Sequence, residues 1–291
     1  MNRVTSGWLS GFIGVVIFSG SLPATRLAII DFDPVFLTVV RATIAGILAL
    51  MLLLLFREKR PSRSNMVSLA VVSLGVVVGF PLLTALALRH VTAAHSIVFV
   101  GLLPLATAIF AVLRGGERPR PAFWLFSCVG SALVAGFSLS NSLAIGSDSS
   151  LYGDLLMLAA ILVCGLGYAE GAALSRTLGG WQVISWALVL SLPVMAILSI
   201  LTMPQSLTGI GAQAWGGLAY VSLFSMLIGF IFWYRGLALG GIAAVGQLQL
   251  LQPFFGLILA ATLLGESVSS AMIAVTLAVV CCVAGARKFS R

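Results

Sequence analysis

Long apolar stretches separated by short polar breaks recur along the whole chain, near residues 7–29, 34–56, 66–88, 93–113 and 121–139. A second set follows near 152–173, 181–203, 214–234, 242–263 and 268–286. Each run approaches the ~20 residues that carry an α-helix across a ~30 Å hydrocarbon core. The pattern predicts an all-α integral membrane protein of ten transmembrane helices, with loops too short to hold a further domain.

The pattern also repeats. "FVGLLPLATAIFAVLRGGERP" at 99–119 matches "LQLLQPFFGLILAATLLGESV" at 248–268, and an offset of 149 sets Pro104 on Pro253, Gly116 on Gly265 and Glu117 on Glu266. "FSGSLPATR" at 18–26 matches "YAEGAALSR" at 168–176 with an offset of 150, which sets Phe18 on Tyr168 and Arg26 on Arg176. Self-similarity at so long a period points to a duplicated unit. Five helices per unit is an odd number, so the second copy enters the membrane from the opposite side. The expected organisation is two inverted five-helix repeats, 1–144 and 145–291. Inverted repeats are typical of secondary transporters, in which one half rocks against the other around a site near the bilayer midplane.

Composition and charge agree with a membrane protein. The 291-residue chain is 60% hydrophobic and 8% charged, against roughly 25% charged for a soluble domain, and its mean hydropathy is +1.15. Under the ten-helix reading, thirteen of the sixteen Lys and Arg residues fall on one side of the membrane, only Arg26 and Arg89 on the other, and Arg41 within a span. The positive-inside rule then puts both termini in the cytoplasm. The basic residues are not clustered with aromatics on a soluble face, so the formal charge of +8 points to topology and not to nucleic acid. The first apolar run is read as an ordinary span, not a cleaved signal peptide. Cys128, Cys164, Cys281 and Cys282 lie inside apolar runs without metal-site spacing and are read as packing residues.

Several chemistries find no support in the chain. It has no G-x-x-x-x-G-K-[ST] phosphate loop, no H-E-x-x-H and no G-x-S-x-G elbow. "GLGYAEG" at 165–171 follows no strand and lies within an apolar helix, so it is not a dinucleotide loop. No catalytic residue, metal site or cofactor is expected. A lipid-acting membrane enzyme would need a catalytic cluster at one depth, and a sensor would need a signalling segment; neither is evident.

Polar and ionisable groups inside spans are costly, which makes them functional candidates. Pro104 lies about 11 residues, or ~16 Å, into its helix, near mid-membrane, and Pro253 does likewise. Each bends its helix and frees a carbonyl that must be hosted by protein or a watery cavity. Gln249 and Gln252 sit one turn apart just before Pro253, and read either as substrate contacts or as links between helices. Glu170 is either a titrating coupling group or the partner of an arginine. Arg41, ~10 Å into the second helix, either attracts a carboxylate or phosphate or pairs with Asp31 or Asp33. Arg26 carries the same two readings at the outer rim. His95, at the outer start of the fourth helix, is either a pH-responsive group or inert. Phe18 and Tyr168, with Phe80, Phe230 and Trp233, are candidates for an aromatic wall around a substrate or for core packing.

The segments "ALALRHVTAAHSIVFVGLLPLATAIFAVLRGGERP" (85–119), "YRGLALGGIAAVGQLQLLQPFFGLILAATLLGES" (234–267), "DPVFLTVVRATIAG" (33–46) and "GDLLMLAAILVCGLGYAEGAALSR" (153–176) resemble the drug/metabolite transporter superfamily, specifically its EamA-type members. The resemblance covers nearly the whole chain. It implies a central cavity lined by helices 1 to 4 and 6 to 9, with helices 5 and 10 as scaffold or dimer contact. It departs from the pattern at Tyr168, where a tryptophan is frequent, and at Leu103, where an aromatic often precedes the proline. The implied function is secondary transport, in the exporting direction, of a small organic metabolite such as an amino acid or its derivative. The implied setting is a bacterial-type plasma membrane, with the protein a monomer or weak homodimer whose partners are substrate and lipid.

Overall fold

The computed structural model describes residues 2–91, 93–115, 119–145, 151–264 and 270–289, and among these every regular element is a helix. Helix α1 is Arg3–Ala28, interrupted at Gly20, α2 is Pro34–Leu55 and α3 is Arg63–Ala87. Then come α4 (Ala93–Val100), α5 (Leu103–Gly115) and α6 (Pro121–Ile145). Helices α7 (Leu151–Leu178), α8 (Gly180–Leu201) and α9 (Ala212–Gly240) follow. Helix α10 begins as Ile242–Gly246, passes through a 3₁₀ stretch, Gln247–Leu251, and ends as Gln252–Leu264; α11 is Ser270–Lys288. Among the described residues, seven helices are long and apolar enough to cross a membrane: α1, α2, α3, α7, α8, α9 and α10. Shorter apolar runs lie in α5, α6 and α11. Gly116, Glu117, Gly265 and Glu266 are outside the described residues.

Local chemistry sets the helix ends. Asp33 caps α2, its Oδ1 accepting from the amides of Val35 at 2.8 Å and Phe36 at 3.3 Å, and Pro34 supplies a first-turn residue with no amide to satisfy. Gly179 and Gly241, with φ of 96° and 95°, each let the chain reverse within a single residue between consecutive helices. Large side chains such as Leu54, Leu55, Ile200 and Leu201 face outward, as a lipid solvent allows.

Besides the break of α1 at Gly20, four further interruptions come in two pairs. Residues Ser73–Gly79 of α3 and Val221–Ile228 of α9 are π-helical, their first residues 148 positions apart. The chain leaves the helix at Gly101 and Leu102, between α4 and α5 and just before Pro104. The 3₁₀ stretch of α10 likewise ends just before Pro253. Proline lacks the amide that would bond the carbonyl four residues back and crowds it sterically, which explains both breaks.

Small residues bring the interrupted helices together. Along α1, Gly7, Gly11 and Gly14 face Gly240, Gly236 and Trp233 of α9, and a Cβ placed at Gly236 would lie 2.6 Å from the Gly11 amide nitrogen. Elsewhere in the bundle, a Cβ at Gly75 of α3 would lie 2.6 Å from the Val163 carbonyl of α7, and one at Gly165 of α7 would lie 2.8 Å from Cβ of Ala106 in α5. Helix α2 packs along α8, where the Thr43 and Ser199 hydroxyls bond at 2.9 Å, and α6 packs along α11. In lipid, close packing and interhelical hydrogen bonds must supply what the hydrophobic effect supplies in water. Gly236→Val forces backbone apart at the α1/α9 contact. The overpacking cost of about 1–3 kcal/mol exceeds the roughly half kcal/mol gained by replacing a helical glycine. The variant is expected to melt at a lower temperature than the wild type in detergent, and an unchanged melting temperature would show that the helices can part freely there.

Candidate functional site

The interrupted helices converge on a small cavity. It is lined by Phe18, Ser21 and Leu22 of α1, Arg41 of α2, and Val76, Phe80 and Pro81 of α3. Tyr168 of α7, Ser225 and Phe230 of α9, and Gln252 of α10 complete it. Its volume is about 20 Å³, room for about one water, so the site is closed down around its own side chains. Two wider depressions, about 470 Å³ beside Arg3 and Arg176 and about 330 Å³ beside Gly20 and Tyr220, open onto the surface of the bundle and not into its centre.

The aromatic residues form one connected cluster. The ring of Phe18 stacks on Tyr168 at 6.3 Å between centroids, with 16° between planes, and meets the edge of Phe230 at 4.9 Å. Tyr168 contacts Phe230 at 5.8 Å and Trp233 at 5.4 Å. Phe80 and Phe230 stand 150 positions apart, as Phe18 and Tyr168 do, and Val76 and Ser225 stand 149 apart. Each of these pairs has one member from the first half of the chain and one from the second, and all six residues line the cavity. Trp233 is fully buried behind this layer and does not reach the cavity.

The polar groups divide. Gln252 lines the cavity; its Nε2 donates to the Phe18 carbonyl oxygen at 3.4 Å, and its Oε1 has no partner among the described residues. It therefore links two helices while leaving one buried acceptor unpartnered among the described residues. Gln249 is fully buried beside Tyr168, without a hydrogen bond of standard geometry, and does not line the cavity. Arg41, 5% exposed, does line it. Its Nη2 donates to Ser225 Oγ at 3.4 Å, and Ser225 exchanges a 2.7 Å hydrogen bond with Ser21. Neither acidic residue considered as its partner is bonded to it: Asp33 pairs with Arg89 at 2.7 Å, and Asp31 accepts from the Gly211 amide at 2.8 Å.

The remaining candidates lie away from the cavity. Arg26 Nη1 donates to the Leu88 carbonyl oxygen at 2.6 Å, tying the end of α1 to that of α3. The Glu170 carboxylate accepts from the Ser68 hydroxyl at 2.6 Å and pairs with Arg114 at 3.4 Å, joining α7 to α3 and α5. Its arginine partner thus comes from α5 and not from the neighbouring turn of its own helix. Pro104 and Pro253 are buried at the two helix breaks. The backbone of His95 belongs to α4, but its side chain is outside the described residues.

Reading the sequence alone missed Ser21, Leu22, Val76, Pro81 and Ser225 as lining residues, and Tyr234 as a tie. Tyr234 is fully buried, and its hydroxyl donates to the Gly167 carbonyl oxygen at 3.2 Å. The spacing of 149 between Val76 and Ser225 was the one available signal, and it joins unlike residues; as a residue type serine carries none, because it is common in membrane helices.

The EamA-like transporter family model matches the chain twice, over residues 5–139 and 151–287. An uncharacterized transporter of Bacillus subtilis, YdeK, is 68% identical over 291 residues, the full length of both chains. An uncharacterized transporter of Synechocystis is 27% identical over 278 residues, covering 87% of this chain and 81% of the relative. A solved crystal structure at 21% identity superposes with a TM-score of 0.78 over 99% of this chain and 98% of the other, a likeness of fold. Matched over most of its length by one family model and over all of it by a close relative, the chain is a multi-pass membrane transporter that belongs to the EamA-like transporter family, within the drug/metabolite transporter superfamily.

Proposed function

We propose that the protein is a secondary transporter that moves small organic metabolites, such as amino acids or their derivatives, out across a bacterial-type plasma membrane by alternating access around the aromatic cavity. In this reading ten helices form two inverted five-helix repeats, 1–144 and 145–291, with both termini in the cytoplasm, and the unit is a monomer or weak homodimer. The observation that carries it is a closed cavity framed by Phe18, Phe80, Tyr168 and Phe230, two from each half of the chain. The paired π-helical segments and proline breaks support it, because matched halves with matched distortions can exchange conformations. The two family matches, 5–139 and 151–287, fit the same division.

Gating follows from the same geometry. On the side assigned to the cytoplasm, Glu170 holds α7 to Ser68 of α3 and Arg114 of α5. On the outer side, Arg26 holds α1 to the end of α3, and Asp33 holds the start of α2 to Arg89. With its carboxylate engaged away from the cavity, Glu170 is assigned to gating. Gln252 is assigned to substrate, through its place in the cavity lining and its unpartnered Oε1.

The reading is tested by uptake into proteoliposomes of labelled amino acids, aromatic metabolites, nucleosides and vitamins, with and without a pH gradient. Saturable uptake of one class is expected, and no uptake of any class by demonstrably folded protein would overturn it. Vesicles of the two orientations report the direction. Gln252→Ala is expected to raise the KM for the transported class about tenfold, the range for one hydrogen bond to a charged group, while the protein elutes as a folded particle; unchanged kinetics would remove Gln252 from the substrate site. Glu170→Gln is expected to raise deuterium exchange in the last turn of α5 about two- to fivefold, since a partly exposed pair contributes about 0.5–1 kcal/mol. Unchanged exchange there would mean that the pair does not hold the gate.

A further inference from the structure

We infer that the cavity binds its substrate through a carboxylate, with Arg41 as the anion-binding residue, and that the preferred cargo is a monoanionic carboxylate with a flat apolar body. The inference rests on the transport reading above and narrows it from amino acids and their derivatives to those derivatives that keep the carboxylate and lack the ammonium. Arg41 is 5% exposed, yet its one hydrogen bond among the described residues is a long 3.4 Å contact to Ser225 Oγ, and its Nε has no partner. Among the described residues, no carboxylate lines the cavity. The two acids nearest in sequence to the outer end of α2 are occupied elsewhere, Asp33 by Arg89 and the α2 cap, Asp31 by the Gly211 amide.

A guanidinium kept from water without a counter-charge is costly, by several kcal/mol in a low-dielectric interior. A ligand carboxylate would supply the missing charge and two acceptors for the planar fork of Arg41. The surrounding groups are suited to the same ligand. Ser21 and Ser225 offer hydroxyls beside the guanidinium, and Phe18, Phe80 and Phe230 offer apolar faces for the rest of the molecule. One cation favours one negative charge, so a phosphate dianion would remain half compensated. The ammonium of a zwitterionic amino acid would meet no carboxylate.

The test uses the full chain in nanodiscs, with phenylacetate, phenylacetamide, phenylalanine and phenyl phosphate as probes, and reads thermal stabilisation and uptake. Phenylacetate is expected to raise the melting temperature of the wild type with saturating concentration dependence, and the other three to do so at least tenfold more weakly. Arg41→Met should weaken phenylacetate binding at least tenfold. Because it removes an unpaired buried charge, the ligand-free variant should melt no lower than the wild type. Equal stabilisation by the amide, the amino acid or the phosphate would overturn the inference. So would retained phenylacetate binding in Arg41→Met, a ligand-free variant that melts well below the wild type, or no binding of phenylacetate to folded wild type. Saturable uptake of an uncharged or zwitterionic solute that is unaffected by Arg41→Met would sink the carboxylate assignment while leaving transport standing. Failure of every solute class in folded protein would sink transport itself.

Discussion

In hydrocarbon no water is available to a backbone amide or carbonyl that loses its helical partner. That constraint organises this molecule. Two prolines and two π-helical segments disturb the backbone ladder of α3, the α4/α5 pair, α9 and α10, and each disturbance must be buried in protein. The Gly20 joint of α1 shows how the demand is met. The Ile17 carbonyl oxygen accepts from the Tyr220 hydroxyl at 2.6 Å, beside a 3.3 Å bond from the Gly20 amide, and the Phe18 carbonyl oxygen accepts from Gln252 at 3.4 Å, so side chains of α9 and α10 supplement the weakened ladder of α1. The disturbed segments are drawn to the middle of the bundle, and the cavity lies among them.

The packing of the long helices follows from the same demand. Glycines on α1 and α9, and on α3 and α7, let backbones approach until a single added Cβ would overlap the neighbour. Such approach brings Phe18, Tyr168 and Phe230 from three helices into mutual contact, which larger residues at the crossings would prevent. The aromatic layer therefore depends on the small residues beneath it. With only about 20 Å³ left free between its side chains, the layer must be parted before an organic molecule can enter, and of the helices that carry Phe18, Phe80, Tyr168 and Phe230, α1, α3 and α9 have ladders that are already interrupted.

Apolar run length located the seven helices that, among the described residues, are long and apolar enough to cross a membrane, because it is tied directly to bilayer thickness, but it gave no sign that the run at 93–113 is broken at Gly101 and Leu102. Paired spacing pointed to Phe18 and Tyr168, which meet in one cavity lining, and to the two prolines, which stand at two helix breaks. The π-helical segments left no mark of their own: SLGVVVG and VSLFSML read as ordinary apolar helix. Trp233 and Gln249 have the residue types expected of a site, but stand one layer behind it, a distinction that helical rotation and tertiary packing decide. The environment of Arg41 was undecidable from sequence for a similar reason. Asp31 and Asp33 are close enough along the chain to be its partners, and only the fold shows the first turned to Gly211 and the second to Arg89.

The apolar frame and the polar groups of the cavity obey different rules. Phe18 and Tyr168, Phe80 and Phe230, and Val76 and Ser225 keep the internal spacing, and in the first two pairs an aromatic stands opposite an aromatic. The polar residues have no such counterparts. At the offset of 149, Ser225 corresponds to Val76 and Gln252 to Leu103; Arg41 falls on Leu190 and, at 150, on Ser191. A frame that is alike in both halves suits a device that must pass through equivalent states open to either side. Recognition of a charged group needs only one set of donors, and a second buried arginine would add a desolvation cost without adding a ligand contact. In the proposed reading, change at Ser21, Arg41, Ser225 and Gln252 alters what is carried while the paired aromatic frame preserves how it moves.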